Sequence, residues 1–192
     1  MRTNQGGFTL LELVVTLIIL GLMLGMGLPA MTRMTQGAAV RAASNELVRD
    51  FNIARSHSSD LNERITLCRR SGTSTNCIGA SNGAGWDNNG WVIFVDNDQD
   101  AIPDVANQFI RITDPIDAVS IRHNGVTGNQ FNGSVRFYPD GTVRDINGNL
   151  ATVDFDLCPN NPSAGGRTID MNSRGNIRVS TAQALANGRG CP

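Results

Sequence analysis

Lysine is missing from this chain of 192 residues; all sixteen basic residues are arginine. Seventeen acids bring the formal net charge to −1, so no global basicity argues for nucleic acid. We read the arginine bias as nucleotide composition in the source, although arginine also favours bidentate and phosphate contacts. Histidine is nearly absent. His57 and His123 stand alone, and no Cys/His spacing has the form of a metal site. There is no Gly-x-Ser-x-Gly elbow, no phosphate loop, and no histidine partner for a nucleophile. Neither an enzyme nor a cofactor is expected. Low-complexity tracts and internal repeats are lacking too, and the length allows one domain with a core of moderate size.

What the chain does have begins at once. A short polar head, Met1 to Gly7, runs into an apolar segment that continues to Leu28. At ~1.5 Å per residue, about 21 residues span about 30 Å, the thickness of a bilayer core. One charge interrupts the run. Glu12 lies in its first turns, where a charge at bilayer depth costs roughly 2.5–3.5 kcal/mol. A cleaved secretory signal would have a more basic head and a shorter apolar core. A plain single-pass anchor fits the length but gives the carboxylate nothing to do. A buried charge is tolerated only with an opposite partner.

Gly7-Phe8-Thr9-Leu10-x-Glu12 resembles the processing and assembly signal of type IV pilins and type II secretion pseudopilins. The resemblance implies cleavage by a prepilin peptidase after Gly7 and N-methylation of Phe8. It also implies that Glu12 meets the N-terminal ammonium of a neighbouring subunit as a filament grows. Pro29 falls at the family's usual distance from the cleavage site, and the helix there can unwind inside the filament.

From Ala30 to about Ser58 the pattern is helical. Val40, Ala43, Leu47, Phe51 and Ala54 recur three or four apart, which is one face of a helix. Arg41, Asn45, Arg49, Asn52 and Arg55 lie mostly off that face. Pro29 should bend the helix. Gly21, Gly25 and Gly27 weaken it by roughly 1 kcal/mol each, and Gly21-x-x-x-Gly25 also suits close packing of membrane helices.

Beyond Arg64 the pattern switches to short strands between Gly/Asn-rich turns, the signature of an antiparallel β head. Candidate strands begin at Ile65, Gly90, Phe109, Val119, Ser134, Thr142, Thr152, Arg167 and Asn176. Pro139-Asp140-Gly141 has the chemistry of a tight hairpin turn. Thr152 to Leu157 alternates as polar outside and apolar inside. Ser71 to Asn89 reads as a surface loop. Ile65-Thr66-Leu67-Cys68, Trp86, Gly90 to Asp96 and Phe137-x-Pro139-Asp140-Gly141-Thr142 follow the order of minor pilins and pseudopilins of the GspH/FimT/FimU type.

The expected architecture is therefore α+β in the type IV pilin fold. A leader, 1–7, precedes a long helix, 8–58, whose first part, 8–28, crosses the membrane and later forms the filament core. A β head follows over 59–192. The implied life of the chain begins in the bacterial inner membrane with the head in the periplasm, and ends in a pilus or pseudopilus with other minor and major pilins. The function implied is that of a minor pilin at or near the tip, priming assembly for motility, adhesion or DNA uptake. The same physics serves a minor pseudopilin of type II secretion.

Three smaller features need a reading. Four cysteines, an even number behind a membrane-targeting segment, suit an oxidising compartment. Sequence proximity pairs Cys68 with Cys77 and Cys158 with Cys191, though three connectivities exist. Loop entropy gives these closures about 2.7 and 3.8 kcal/mol. Asp96-Asn97-Asp98-Gln99-Asp100, with Asp104, resembles a calcium loop. However, Ala101 and Asn107 stand where an EF-hand needs Gly and Glu, and loop side chains bonding their own backbone explain the acids as well. Finally, Arg167, Arg174, Arg178 and Arg189 against Asp170 alone make the C-terminal region locally basic, with Arg174, Arg178 and Arg189 the candidate DNA contacts. Competence-type relatives bind DNA through a Gly-Arg-x-Arg motif here. This chain reads Ser173-Arg174-Gly175-Asn176-Ile177-Arg178, so Arg178 matches and Asn176 replaces the first arginine. The departure favours a solvated edge strand over a DNA receptor.

Overall fold

The computed structural model describes residues 9–71, 77, 86–105, 109–125, 134–145, 147–160, 164–182 and 191; the side chains of 26–30, 87, 124–125 and 182 are outside that description. The leader 1–7, Phe8, Arg189, Asn107 and the side chain of Pro29 lie outside the described residues.

One helix, α1 (Leu10–Leu61), runs for 52 residues. Thr9 caps its start, its hydroxyl accepting from the Glu12 N–H at 3.2 Å. The helix ends later than the expected Ser58. Serine is a poor helix former, but here the hydroxyls of Ser56, Ser58 and Ser59 donate to carbonyls of the preceding turn. Ser58 and Ser59 also reach the Tyr138 and Pro139 carbonyls, so tertiary contact carries the helix to Leu61. Asn62, in the left-handed region at φ 56°, closes it by donating to Ser58 O.

The head contains two antiparallel sheets. Strands β1 (Ile65–Arg69), β2 (Trp91–Val95), β3 (Arg111–Thr113), β5 (Ser134–Phe137) and β6 (Val143–Arg144) form the first, in the order β3-β2-β1-β5-β6. The second has the order β4-β7-β8-β9, from β4 (Val119–Gly125), β7 (Val153–Pro159), β8 (Gly166–Met171) and β9 (Ile177–Ala182). The predicted helix face supplies the shared core: Val40, Ala43, Leu47, Phe51 and Ala54 are all buried. Phe51 packs between Phe137 and Phe155, ring centroids 6.3 and 5.4 Å away.

Two local readings are corrected. Ser71 to Asn89 is not only surface loop, because a helical turn, α2 (Trp86–Asn89), buries Trp86 edge-on against Phe155. Strand β7 is not half-exposed either. It is flanked by β4 and β8, and Asp154 and Asp156 are buried with the apolar residues between them. Asp156 accepts from the Thr168 hydroxyl at 2.8 Å, which satisfies part of its charge inside the sheet.

A buried carboxylate ties helix to sheet. Asp50 accepts from Trp91 Nε1 at 2.8 Å and from the Thr113 hydroxyl at 2.8 Å. Its other oxygen lies 2.7 Å from Arg111 Nε and 3.6 Å from Arg49 Nε.

His123 on β4 packs against the Phe155 ring at 5.0 Å, with Trp86 at 6.4 Å. Burial disfavours the imidazolium and lowers its pKa from 6.5 to about 4. In this acid range the unfolded chain binds the proton that the folded one refuses. The His123 contribution is therefore complete above pH 6.5 and is lost as pH falls toward 4. Urea melts across that window should show a loss of about 3 kcal/mol, absent in His123→Phe. An identical acid limb in both proteins would refute this assignment.

Candidate assembly interface

The apolar sequence before Met26 has no face of its own to hide. Every residue from Thr9 to Gly25 is exposed, including Leu10, Leu17, Ile18 and Leu22. A helix that is apolar on all sides requires surroundings other than water. Among the described residues no helix is long and apolar enough to cross a membrane. The expected span, 8–28, has Phe8 and the side chains of 26–28 outside them.

Glu12 occupies the third position of α1 and is exposed, with no ion-pair partner among the described residues. The positive end of the helix dipole favours a carboxylate there. Thr9-x-x-Glu12 has the spacing of a capping box, a signal that could have been read from the sequence. Once the sleeve around it is desolvated, that carboxylate needs a cation beside it. Gly7 and Phe8, the expected processing positions, lie outside the described residues. At Pro29 the helical backbone continues without a break.

Two hairpin turns converge on Arg55. Its Nη1 donates to the Gly175 carbonyl at 3.3 Å. Gly175, at φ +72°, leaves no room for a side chain: a Cβ would lie 2.9 Å from both Arg55 Nε and the Gly141 carbonyl. Ser173 O accepts from Val143 N at 2.8 Å, joining the sheets here. Thus Pro139-Asp140-Gly141 and Ser173-Arg174-Gly175 share one anchor on α1. Asp140 accepts from the Thr142 hydroxyl and from Arg144, and these bonds hold its carboxyl below the usual range.

Arg174 lies in that turn and Arg178 on β9, both exposed; Arg189 is outside the described residues. Arg178 pairs in register with Asp170. The two residues line a cleft of about 500 Å³ with Asn172 and Asn176, so the hairpin presents mixed charge. Salt-dependent phosphate binding draws on a run of cations, and here an acid interrupts it.

Cys68 is bonded to Cys77, and Cys158 to Cys191. The first bridge lies beside Val92, Phe94 and Phe109, a small cluster on the sheet face away from α1. Cys68→Ser with Cys77→Ser should cost about 2.7 kcal/mol from lost loop constraint. An unchanged denaturation midpoint would show that the bridge adds nothing to the cover of that face.

Asp96, Asp98 and Asp104 each bring one carboxylate oxygen within a 4.8 Å group. Their bonds are nonetheless those of a loop. Buried Asp96 accepts from the Thr66 hydroxyl at 2.6 Å and from Ala101 N, with Arg136 Nε at 3.8 Å. Burial raises its pKa, against the opposing pull of Thr66, Arg136 and Ala101. Asp104 accepts from Asn97 N through both oxygens. Backbone and side-chain donors account for the cluster.

A family model described as "Type II transport protein GspH" matches residues 43–175. A second, "Prokaryotic N-terminal methylation motif", matches residues 2–28. Comparison with curated proteins gives no match. Two crystal forms of the type IV minor pilin FimU of Pseudomonas aeruginosa share the fold. One has a TM-score of 0.55 at 17% identity, covering 77% of this chain and 92% of that chain. The other has 0.51 at 18%, covering 73% and 91%. With the helix, the two sheets and the apolar sleeve all accounted for in this way, the chain belongs to the GspH family and has the type IV pilin fold.

Proposed function

We propose that the chain is a minor pilin of a type IV pilus. It is stored in the inner membrane, processed by a prepilin peptidase after Gly7, and methylated at Phe8. It is then placed at or near the tip, where it helps to prime assembly with other minor and major pilins. The observation that carries this reading is the solvent-exposed apolar stretch of α1 joined to a well-packed head. Exposed apolar surface of that extent marks a membrane or protein partner. In a bundle of such helices Glu12 would face a neighbour's freed ammonium, which answers the cost of burying its charge. The role is structural, without catalysis.

Glu12→Ala should reduce recovery of the protein in sheared filaments at least tenfold, while its amount in membranes stays the same. Wild-type incorporation of the variant would end this reading. The second reading is a minor pseudopilin of type II secretion, favoured by the description of the matching family. A deletion strain separates the two readings. Loss of surface pili and twitching with intact secretion supports the pilus; the reverse supports the secretion system.

A further inference from the structure

We propose that the groove between α1 and the start of β8, lined by Arg33, Arg41 and Arg167, binds the phosphate of an anionic phospholipid headgroup. This would occur while the chain is held in the membrane, and the proposal rests on that part of the functional reading. The groove encloses about 220 Å³, and Gly37, Gly165 and Gly166 complete its wall with no acidic side chain among the lining residues.

The head uses many of its arginines internally. Arg55, Arg64, Arg111, Arg136 and Arg144 all bond to carbonyls or carboxylates. Arg33, Arg41 and Arg167 instead have no ion pair among the described residues. Three like charges around one opening raise the local potential and favour an anion. Guanidinium groups suit phosphate because their paired N–H donors match its oxygens. A Cβ at Gly37 would meet the Ala164 carbonyl at 3.5 Å and Arg41 Nη2 at 3.8 Å, ordinary contact distances, so the 164–166 turn and the Arg41 guanidinium both border this turn of the helix.

Position selects the lipid. Arg33 is five residues beyond Leu28, where the apolar run ends. At ~1.5 Å per residue that places it about 7.5 Å above the hydrocarbon, within the headgroup layer. Arg41 lies about 20 Å along the helix from Leu28, but its guanidinium reaches back one turn to Gly37, on the membrane side, where a headgroup raised from the layer at Arg33 would meet it. A nucleic-acid strand would have to enter between head and membrane to reach the same groove.

The test uses the full chain in nanodiscs of neutral phosphatidylcholine, with and without phosphatidylglycerol. Bound phosphatidylglycerol is counted after exchange into detergent. Each arginine should add about fivefold to the preference for the anionic lipid, so Arg41→Gln/Arg167→Gln should lose about 25-fold. The matching lysine pair should keep most of the preference, and Arg122→Gln, outside the groove, should keep all of it. Equal retention of both lipids by wild type overturns the proposal alone. Failure to insert into neutral discs overturns it together with the membrane reading. Tighter binding of a duplex oligonucleotide than of phosphatidylglycerol, lost in the same double variant, replaces lipid with nucleic acid.

Discussion

Gly90→Ala is expected to destabilise the head by about 4 kcal/mol or more, read as a lower midpoint in a urea melt. Gly90 sits at φ +67°, and an added Cβ would overlap the Thr113 carbonyl oxygen and lie 2.8 Å from the Asp114 carbonyl carbon. Both are backbone atoms and cannot swing aside as a side chain would. Relief requires β3 to move off β2. The same residue closes the α2 turn by donating to Trp86 O at 3.0 Å and accepts from Arg70 N at 3.1 Å. Displacement would therefore loosen buried Trp86, the end of β1 and the β2–β3 ladder together. A midpoint within experimental error of wild type would show that β3 yields freely.

Asp50→Ala should cost about 3–5 kcal/mol, because it strips one partner from a buried charged network. Trp91 Nε1, the Thr113 hydroxyl and Arg111 would each lose an acceptor. The larger part of the loss comes from leaving those donors dry, rather than from the attraction itself. Asp50→Asn, which keeps one carbonyl acceptor, should cost less. Asp50→Leu with Arg111→Met should recover much of the stability, since apolar replacement of a whole buried pair is often tolerated. Losses under 1 kcal/mol in both single variants would rule out the network as the tie between helix and sheet. Circular dichroism melts of the full chain in detergent measure all three variants against wild type.

The sequence made some of this fold readable and hid other parts for identifiable reasons. The core face of α1 was legible because five apolar residues at helical spacing override the poor propensity of Val40 and Phe51. Each strand was visible in outline, since turn chemistry brackets every one. The split into two sheets was not, because β5 joins β1 and β4 joins β7 across long stretches of chain. No local pattern records that choice. The resemblance named Trp86, but its burial was hidden, because it is one apolar residue in a Gly/Asn-rich stretch with no period to mark it. Asp154 and Asp156 misled for the opposite reason: alternation signals a wet face, yet β7 is a central strand and its polar side is covered. At the assembly end, Glu12 was conspicuous as a charge in an apolar run, whereas Thr9 needed the capping spacing to be noticed. Arg55 looked like one more surface arginine until two distant turns met it.

The way α1 enters the head governs how the molecule bears load. Outside the head the helix is a bare handle; inside, its grip extends from Val40 to Ser58. The Asp50 tie reaches one sheet, and the Arg55 tie reaches the seam between both. Tension drawn along the handle therefore meets resistance over the whole grip in shear, instead of peeling contacts away one at a time. In the pilus reading proposed above, a pull along α1 would leave the head folded.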